Sequence, residues 1–280
     1  CTISMSAFLE ALQKAYDNAV VTTGVPAKTG LGIVVDATVA DEDAENEKGA
    51  SVQINTNMMV VSTDAEGKVV AAILDVAQQK VAFDMDGVAG EVDLRTKVEK
   101  EGDYGMVGAS GIGKEYFEQI EALENWMVGK TVEEIVNMPV MDRGDGSHTH
   151  VPTDADLAAG CTITVKSYLD ALQEAWDNAV EVEGLAKVGL GQNISVKGTA
   201  ATADKNGSVQ VDTNMVGVAL DAEGKILWGK IDVAQQTSKW DATGAVTTSA
   251  ADELRTKTEK EYDYNMLTYG GAVAEWFEQV

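Results

Sequence analysis

An internal repeat constrains this 280-residue chain more than any other feature of its sequence. Residues 1–20 and 161–180 are identical at 12 of 20 positions, and four further blocks recur in the same order. The offset between the copies stays between 157 and 160 residues. A chain of this length suggests about two domains, each able to bury a core. We therefore predict repeat domains at 1–140 and 161–280, joined by a polar linker at 141–160.

Both copies show the same order of elements. Apolar residues at helical spacing predict a first helix over 6–20. Alternating residues over 52–58 predict a strand, and the block DAEGK, with Gly67, predicts the turn of a hairpin. A second helix is predicted over about 112–128, with Gly129 as its stop. The fold class is α+β, with two homologous domains that each hold an antiparallel sheet, an N-terminal helix and a closing helix.

The first copy continues further than the second. Thr131 and Glu134 have the spacing of a capping box, which predicts a short helix in the first copy. The second copy stops opposite Ile120, so domain 2 is expected to lack the C-terminal helical tail of domain 1. Such a domain would leave apolar surface for a neighbouring molecule to cover.

Charge excludes several classes of partner. The chain has 46 Asp and Glu against 21 Lys and Arg, a net charge of −25. Nucleic-acid binding depends on clustered basic residues, and so does adhesion to anionic lipid, so we expect neither partner. No apolar run approaches the roughly 20 residues that a membrane span needs.

The segment Gly108–Lys114 has the Gly-x4-Gly-Lys spacing of a phosphate-binding loop. Such a loop needs Ser or Thr at the next position to hold Mg²⁺, but Glu115 stands there. The second copy also lacks the lysine, with Ala274 in its place. We therefore interpret the segment as a glycine-rich entry into the second helix.

No residue pattern indicates an enzyme or a metal site. The only histidines, His148 and His150, lie in the linker, so neither domain holds a base for nucleophilic catalysis. They lack the further ligands of a structural metal site. The acidic runs Asp41–Asn46 and Asp84–Gly87 lack the closing glutamate of a calcium loop, so we interpret them as solvated loops.

The two cysteines occupy the same position in each repeat. Cys1 is the residue that signal-peptide cleavage leaves at the start of a bacterial lipoprotein, where it carries lipid. The alternative is that the chain is an internal fragment, since Cys161 is an equivalent cysteine within the chain. Both interpretations stay open.

Several blocks resemble a known family. The patterns DAEGK with ID.AQ, TK.E...DYGM and GASGIGKE(Y/W).EQ resemble repeats in cell-surface lipoproteins of Gram-positive, mostly anaerobic bacteria. These proteins are similar to the FMN-binding-domain group of extracellular electron transfer, which includes a pheromone-type lipoprotein. In that group, flavin is attached to the last residue of a Ser/Thr-Gly-Ala-Ser/Thr motif. The resemblance implies Ser110, in Val107-Gly-Ala-Ser110, as the flavin-attachment candidate, with Gly270 at the equivalent position of domain 2.

Three functions remain as hypotheses. The first is a non-enzymatic, extracellular structural subunit, which builds a surface layer or filament head to tail from copies of itself and needs no cofactor. The second is an FMN-carrying lipoprotein that relays electrons outside the membrane. The third is a solute-binding module with a cleft between twinned domains.

Overall fold

The computed structural model describes residues 3–41, 45, 49–83, 90–146, 148–202 and 204–280, with the side chain of Tyr269 left aside. Its helices are α1 Ser6–Asp17, α2 Tyr116–Met127, α3 Val132–Val136, α4 Ala155–Ala158, α5 Lys166–Asp177, α6 Met266–Gly270 and α7 Trp276–Gln279. Its strands are β1 Val20–Val21, β2 Lys28–Ala40, β3 Ser51–Thr63, β4 Val69–Ala82, β5 Val140–Met141, β6 Val151–Pro152, β7 Val180–Glu181, β8 Lys187–Thr199, β9 Gly207–Leu220, β10 Ile226–Trp240 and β11 Val246–Thr248. Short 3-10 helices occupy Glu101–Tyr104, Ala250–Asp252 and Glu261–Tyr264.

Two antiparallel sheets form the centre of the molecule. Sheet 1 has the strand order β4-β3-β2-β7, and sheet 2 has the order β1-β8-β9-β10-β11. The long strands are buried on both faces over much of their length, and their inward residues form one apolar core drawn from both repeats. The sheets therefore pack face to face.

Helices cover both outer faces, which gives four layers. The outer face of sheet 1 forms a core with α2, α3 and α5. The outer face of sheet 2 forms a smaller core with α1 and α7. Burial of these apolar faces is the main stabilising contribution to such an arrangement.

The two repeats exchange their first elements. Helix α1 packs on β8 and β9 of the second repeat, while α5 packs on β2 and β3 of the first. The short strands follow the helices, because β1 pairs with β8 and β7 pairs with β2. Each sheet therefore takes its first helix and one edge strand from the other repeat.

The recurring Gly-Leu-Gly block explains how these helices seat. A Cβ atom on Gly189 would lie 1.9 Å from the carbonyl oxygen of Ala15. A Cβ atom on Gly191 would lie 2.0 Å from that of Ala11. Gly30 and Gly32 meet α5 in the same way. Only glycine allows the helix backbone to approach the strand so closely, so each pair of glycines defines a groove for the helix of the other repeat.

The α+β class with antiparallel sheets is confirmed, as is the capping box at Thr131 and Glu134. Two self-contained domains are not confirmed, because of the exchange of α1 and α5. The second helix begins at Tyr116, since the residues before it form a closed loop. The linker is also packed, with Leu157 1% exposed. Among the described residues, no helix has the length and apolarity to cross a membrane.

Candidate functional site

Ser110 lies in a closed loop over residues 106–115, between the first-repeat sheet and α2. Glu115, the N-cap of α2, accepts hydrogen bonds from the backbone N–H groups of Met106 (2.8 Å) and Val107 (3.2 Å). Ser110 Oγ donates to the carbonyl oxygen of Val107 (3.3 Å) and accepts from the N–H of Lys114 (3.1 Å). The loop is therefore held by its own side chains.

This geometry supports the interpretation of Gly108–Lys114 as a helix entry. In a phosphate-binding loop the backbone N–H groups point at the anion, whereas here the carboxylate of Glu115 takes two of them. Glu275 does the same in the second repeat, accepting from Met266 (2.7 Å) and Leu267 (3.2 Å). The glutamate that breaks the nucleotide motif is thus the residue that closes the loop in both repeats.

A cleft of about 260 Å³ opens beside this loop. Its walls come from three parts of the chain: the turn and loop before α2, the linker, and the start of α5. The lining residues are Lys97, Tyr104, Met106, Ala109, Ser110, Tyr116, Arg143, His148, Thr162, Ile163, Thr164 and Tyr168. No carboxylate is among these lining residues, although the chain carries 46.

Lys97 is held in place by a buried carboxylate. Asp75, on β4, accepts hydrogen bonds from the hydroxyl of Thr96 (2.6 Å) and from the N–H of Val98 (3.2 Å). Burial raises the pKa of Asp75 to about 6. The turn around Lys97 is therefore fixed to the edge of sheet 1.

The ammonium of Lys97 faces aromatic rings in the cleft. Its Nζ lies 5.5 Å from the ring centroid of Tyr104 and 5.0 Å from that of Tyr116, distances typical of cation–π contacts. Burial lowers the pKa of Lys97 to about 8, against the opposing effect of Asp36. The side chain is therefore still mostly charged at neutral pH. Within the described part of the chain, Lys97 forms no ion pair.

Two buried tyrosines meet at the back of the cleft. The hydroxyls of Tyr116, from α2, and Tyr168, from α5, lie 3.0 Å apart. Burial raises the pKa of both phenols, so both stay protonated at neutral pH. Because Tyr168 comes from the second repeat, the helix exchange itself builds this wall.

The linker supplies the second cation. Arg143 donates through Nη2 to the carbonyl oxygen of Thr162 (2.9 Å). The hydroxyl of Thr162 in turn donates to the carbonyl oxygen of Ser110 (2.9 Å). His148 Nδ1 lies 2.7 Å from Asp145 Oδ2. The linker is therefore part of the cleft wall.

The second repeat has an apolar counterpart of this arrangement. Lys257 Nζ lies 5.1 Å from the ring centroid of Tyr264 and 4.9 Å from that of Trp276. Phe8 stands where Tyr168 stands in the other half, with its ring centroid 5.8 Å from that of Trp276. Phe8 and Trp276 are almost fully buried. Equivalent residues therefore form a closed core around Lys257 and line a cleft around Lys97.

Other predicted site residues do not gather into a site. Cys1 lies outside the described residues, as do Asp84–Gly87 and much of Asp41–Asn46. Cys161 is a free, fully buried thiol, and burial raises its pKa to about 11. Within the described ranges, no three His, Cys, Asp or Glu residues are placed to hold a metal ion.

Sequence reasoning alone singles out Ser110 and misses Lys97, Arg143 and the tyrosine pair. A signal for Lys97 exists in the block TK.E...DY, which places a lysine seven residues before a tyrosine in both repeats. Arg143 has no such signal, since only the packed linker brings it to the cleft.

Comparison with known proteins identifies no relative. No family, curated protein or solved structure matches this chain. The resemblance to the FMN-binding group therefore rests on short sequence blocks, and the function proposed below rests on the geometry of the cleft.

Proposed function

We propose that this chain is a non-enzymatic, cell-surface binding protein whose Ser110 cleft takes up a small anionic ligand with an apolar or aromatic portion. The observation that carries this proposal is the lining of the cleft. Lys97 and Arg143 face it, no carboxylate lines it among the residues that the structure describes, and the protein around it is strongly acidic.

The overall negative charge does not prevent such binding. At physiological ionic strength, exposed charges more than about 8 Å away are largely screened. An anion 4 Å from one cation gains about 4 kcal/mol at an effective dielectric constant of about 20, before the cost of desolvation. The nearest charges therefore decide the field inside the cleft, where Lys97 and Arg143 favour an anion against the carboxylates of Asp36, Asp75 and Asp145.

The walls of the cleft also indicate the chemistry of the part of the ligand that carries no charge. Tyr104, Tyr116 and Met106 supply apolar and aromatic surface, and Thr162 and Thr164 supply hydroxyls. The exposed walls of this cleft are about half polar and half apolar, and small-molecule sites combine apolar surface with placed polar groups. A phosphate or carboxylate joined to a short apolar group matches this combination.

The resemblance to the FMN-binding group makes FMN the first ligand to test. The two cations fit its phosphate, and FMN would supply redox chemistry when bound. The cleft of about 260 Å³ lies below the roughly 300 Å³ at which ligand pockets begin, so the ring system would extend outside. Ser110 is 4% exposed and its hydroxyl is hydrogen-bonded, so attachment there requires the loop to open.

Titration calorimetry with FMN and with phenyl phosphate tests the proposal. We expect both ligands to bind the wild type, and Lys97→Met and Arg143→Gln each to weaken binding about tenfold or more, the loss of a charge-assisted contact. Lys257→Met is the matched control, because it removes the equivalent lysine of the apolar counterpart. Absence of binding, or equal effects of Lys97→Met and Lys257→Met, would contradict the proposal.

A second candidate function is a structural subunit of a surface layer or filament, assembled head to tail from copies of this chain. The reciprocal exchange of α1 and α5 supports it, because it joins both repeats into one interlocked unit. Electron microscopy of the native cell surface tests it directly. A purified protein that stays monomeric at high concentration would count against it.

Placement at the cell surface, with lipid on Cys1, is part of the same proposal and is supported by the sequence resemblance. The intact mass of the natively isolated protein would report lipid and flavin together. A mass equal to that of the unmodified chain would rule out both modifications. Non-covalent binding would then be tested by calorimetry alone.

A further inference from the structure

The N-terminal arm, defined here as residues 3–21, lies on sheet 2, which is otherwise built by the second repeat. Helix α1 seats on Gly189 and Gly191, and β1 pairs with the start of β8. Asn193 Nδ2 donates to Glu10 Oε2 at 2.6 Å. The arm is therefore held mainly by the repeat to which it does not belong in sequence.

A short surface link joins the arm to its own repeat. Residues 22–27 lead from β1 to β2 and include Gly24 and Pro26. Val25, in the middle of this link, is 85% exposed. The link crosses from sheet 2 to sheet 1, so the arm and the body that follows it lie in different layers.

The equivalent arm of the second repeat, residues 163–181, is fixed by the chain on either side of it. The chain before it is packed, with Leu157 1% exposed and Cys161 fully buried. The link after it is packed as well, with Val182 8% and Leu185 5% exposed. Of these two described arms, the N-terminal one alone combines a complete groove on the other repeat with an exposed link.

We infer that the N-terminal arm exchanges between copies of this chain, closing on sheet 2 of its own molecule or on sheet 2 of a second copy. Both forms make the same contacts in the groove, so the choice between them depends on the link and on concentration. A tethered arm has an effective concentration in the millimolar range, which a second copy has to match. Repeated exchange joins copies head to tail, so this inference supplies the contact for the second candidate function and rests on it.

A disulfide between two cysteines placed across the groove detects the exchange in the full chain. Glu10→Cys with Asn193→Cys, in a Cys1→Ser, Cys161→Ser background, links the arm to whichever sheet 2 it occupies. The protein is refolded at about 1 μM, far below the effective concentration, and at about 1 mM, which is comparable to it. It is then oxidised and separated without reductant. We expect monomers linked within themselves at the low concentration and at least tenfold more linked dimers and longer ladders at the high one.

The matched control is Val34→Cys with Asp170→Cys, the equivalent pair on the fixed arm, which should link only within one chain at both concentrations. Light scattering of the unmodified chain after the same refolding provides a readout without cysteines, and dimers that persist on dilution are expected. Monomers alone in both measurements, or equal ladders from both pairs, would overturn the inference.

The same experiment separates the inference from the function on which it rests. Linked dimers without filaments on the native surface would contradict the structural function and support the arm exchange. Filaments whose chains are linked only within themselves would leave the structural function and overturn the arm exchange.

Discussion

Lys97 in the first repeat and Lys257 in the second occupy equivalent turns, and each faces two aromatic rings. Around Lys97 the neighbouring positions carry hydroxyls and a second cation, and a cleft opens. Around Lys257 the neighbour is Phe8, which packs with Trp276 into a closed core. The residues at equivalent positions maintain the shared arrangement of a lysine and two rings in both repeats. The residues that differ between the repeats open the cleft in which we propose that a ligand binds.

The largest expected effect tests whether the two glycine grooves are equivalent. Gly32→Val and Gly191→Val each place a side chain about where a helix carbonyl lies, and backbone cannot move aside as a side chain does. We expect each variant to lose about 3 kcal/mol or more of unfolding free energy, at the upper end of overpacking costs. Urea denaturation followed by circular dichroism measures the loss.

Gly229→Ala is the matched control for the grooves. It also lies in a long strand, but its Cβ would meet no atom closer than 3.9 Å. We expect a change within about 0.5 kcal/mol of the wild type, as for an unstrained surface substitution. A large effect at only one of the two grooves would show that the helices are not seated equivalently.

Exchanging the aromatic residue between the two lysine environments has the next largest effect. Phe8→Tyr places a hydroxyl in the apolar counterpart, where we expect a loss of about 1–3 kcal/mol if it finds no partner. Tyr168→Phe leaves the buried hydroxyl of Tyr116 without its partner and should also cost about 1–3 kcal/mol. Urea denaturation measures both costs, and a Phe8→Tyr variant as stable as the wild type would contradict the apolar character of the second environment.

A difference in charge between the exchanged helices α1 and α5 predicts that they contribute differently to the pH dependence of stability. Lys14 of α1 forms an ion pair with Glu99 (2.6 Å), whereas the equivalent residue of α5 is Glu174, which lies near Glu259. Burial raises the pKa of Glu174 to about 7, and Glu259 adds to the effect. The folded state therefore keeps this proton to a higher pH than the unfolded chain does, and its contribution to stability falls as pH rises from about 4.5 to about 7.

Glu174→Gln tests that contribution. A single group changes stability by at most about 1.4 kcal/mol per pH unit, and by less here because the side chain is half-buried. We expect the variant to flatten the fall in urea midpoint between pH 5 and pH 7.5, a range that brackets a pKa of about 7. Lys14→Gln is the control, and an identical pH profile for wild type and Glu174→Gln would contradict the account.

The smallest effect concerns the first residue of the equivalent strands β4 and β10. Val69 is fully buried beneath the segment after α2, whereas Ile226 is 44% exposed. We expect Val69→Ala to cost about 1–2 kcal/mol as a core truncation, and Ile226→Ala less than about 0.5 kcal/mol. Similar losses in urea denaturation would contradict the difference in coverage between the two outer faces.

Local elements of the fold are predictable because their signals are local. The turn at Gly67, with φ of 79°, and the capping box at Thr131 depend on residues a few positions apart. The helix exchange is not predictable in this way, since both Gly-Leu-Gly grooves and both alanine-bearing helices are alike. Neither copy contains a local sequence signal that determines which helix packs on which sheet.

The candidate site is predictable only in part for the same reason. Ser110 follows from a resemblance. Sequence reasoning misses Lys97, although the recurring block TK.E...DY contains a signal for it. Arg143 and Tyr168 reach the cleft through a packed linker and an exchanged helix, over 33 and 58 residues of chain from Ser110. Pairwise proximity across such distances comes from tertiary structure, which sequence periodicity does not report.

The central claim is that the environment of Lys97 binds an anion and that of Lys257 does not. NMR of the protein with ¹³C-labelled lysine side chains observes both residues in one spectrum during titration with phenyl phosphate. We predict that the Lys97 signal shifts, that its pKa rises from about 8, and that the Lys257 signal stays in place. A Lys97 signal that ignores the ligand, or equal shifts at both lysines, would contradict the claim.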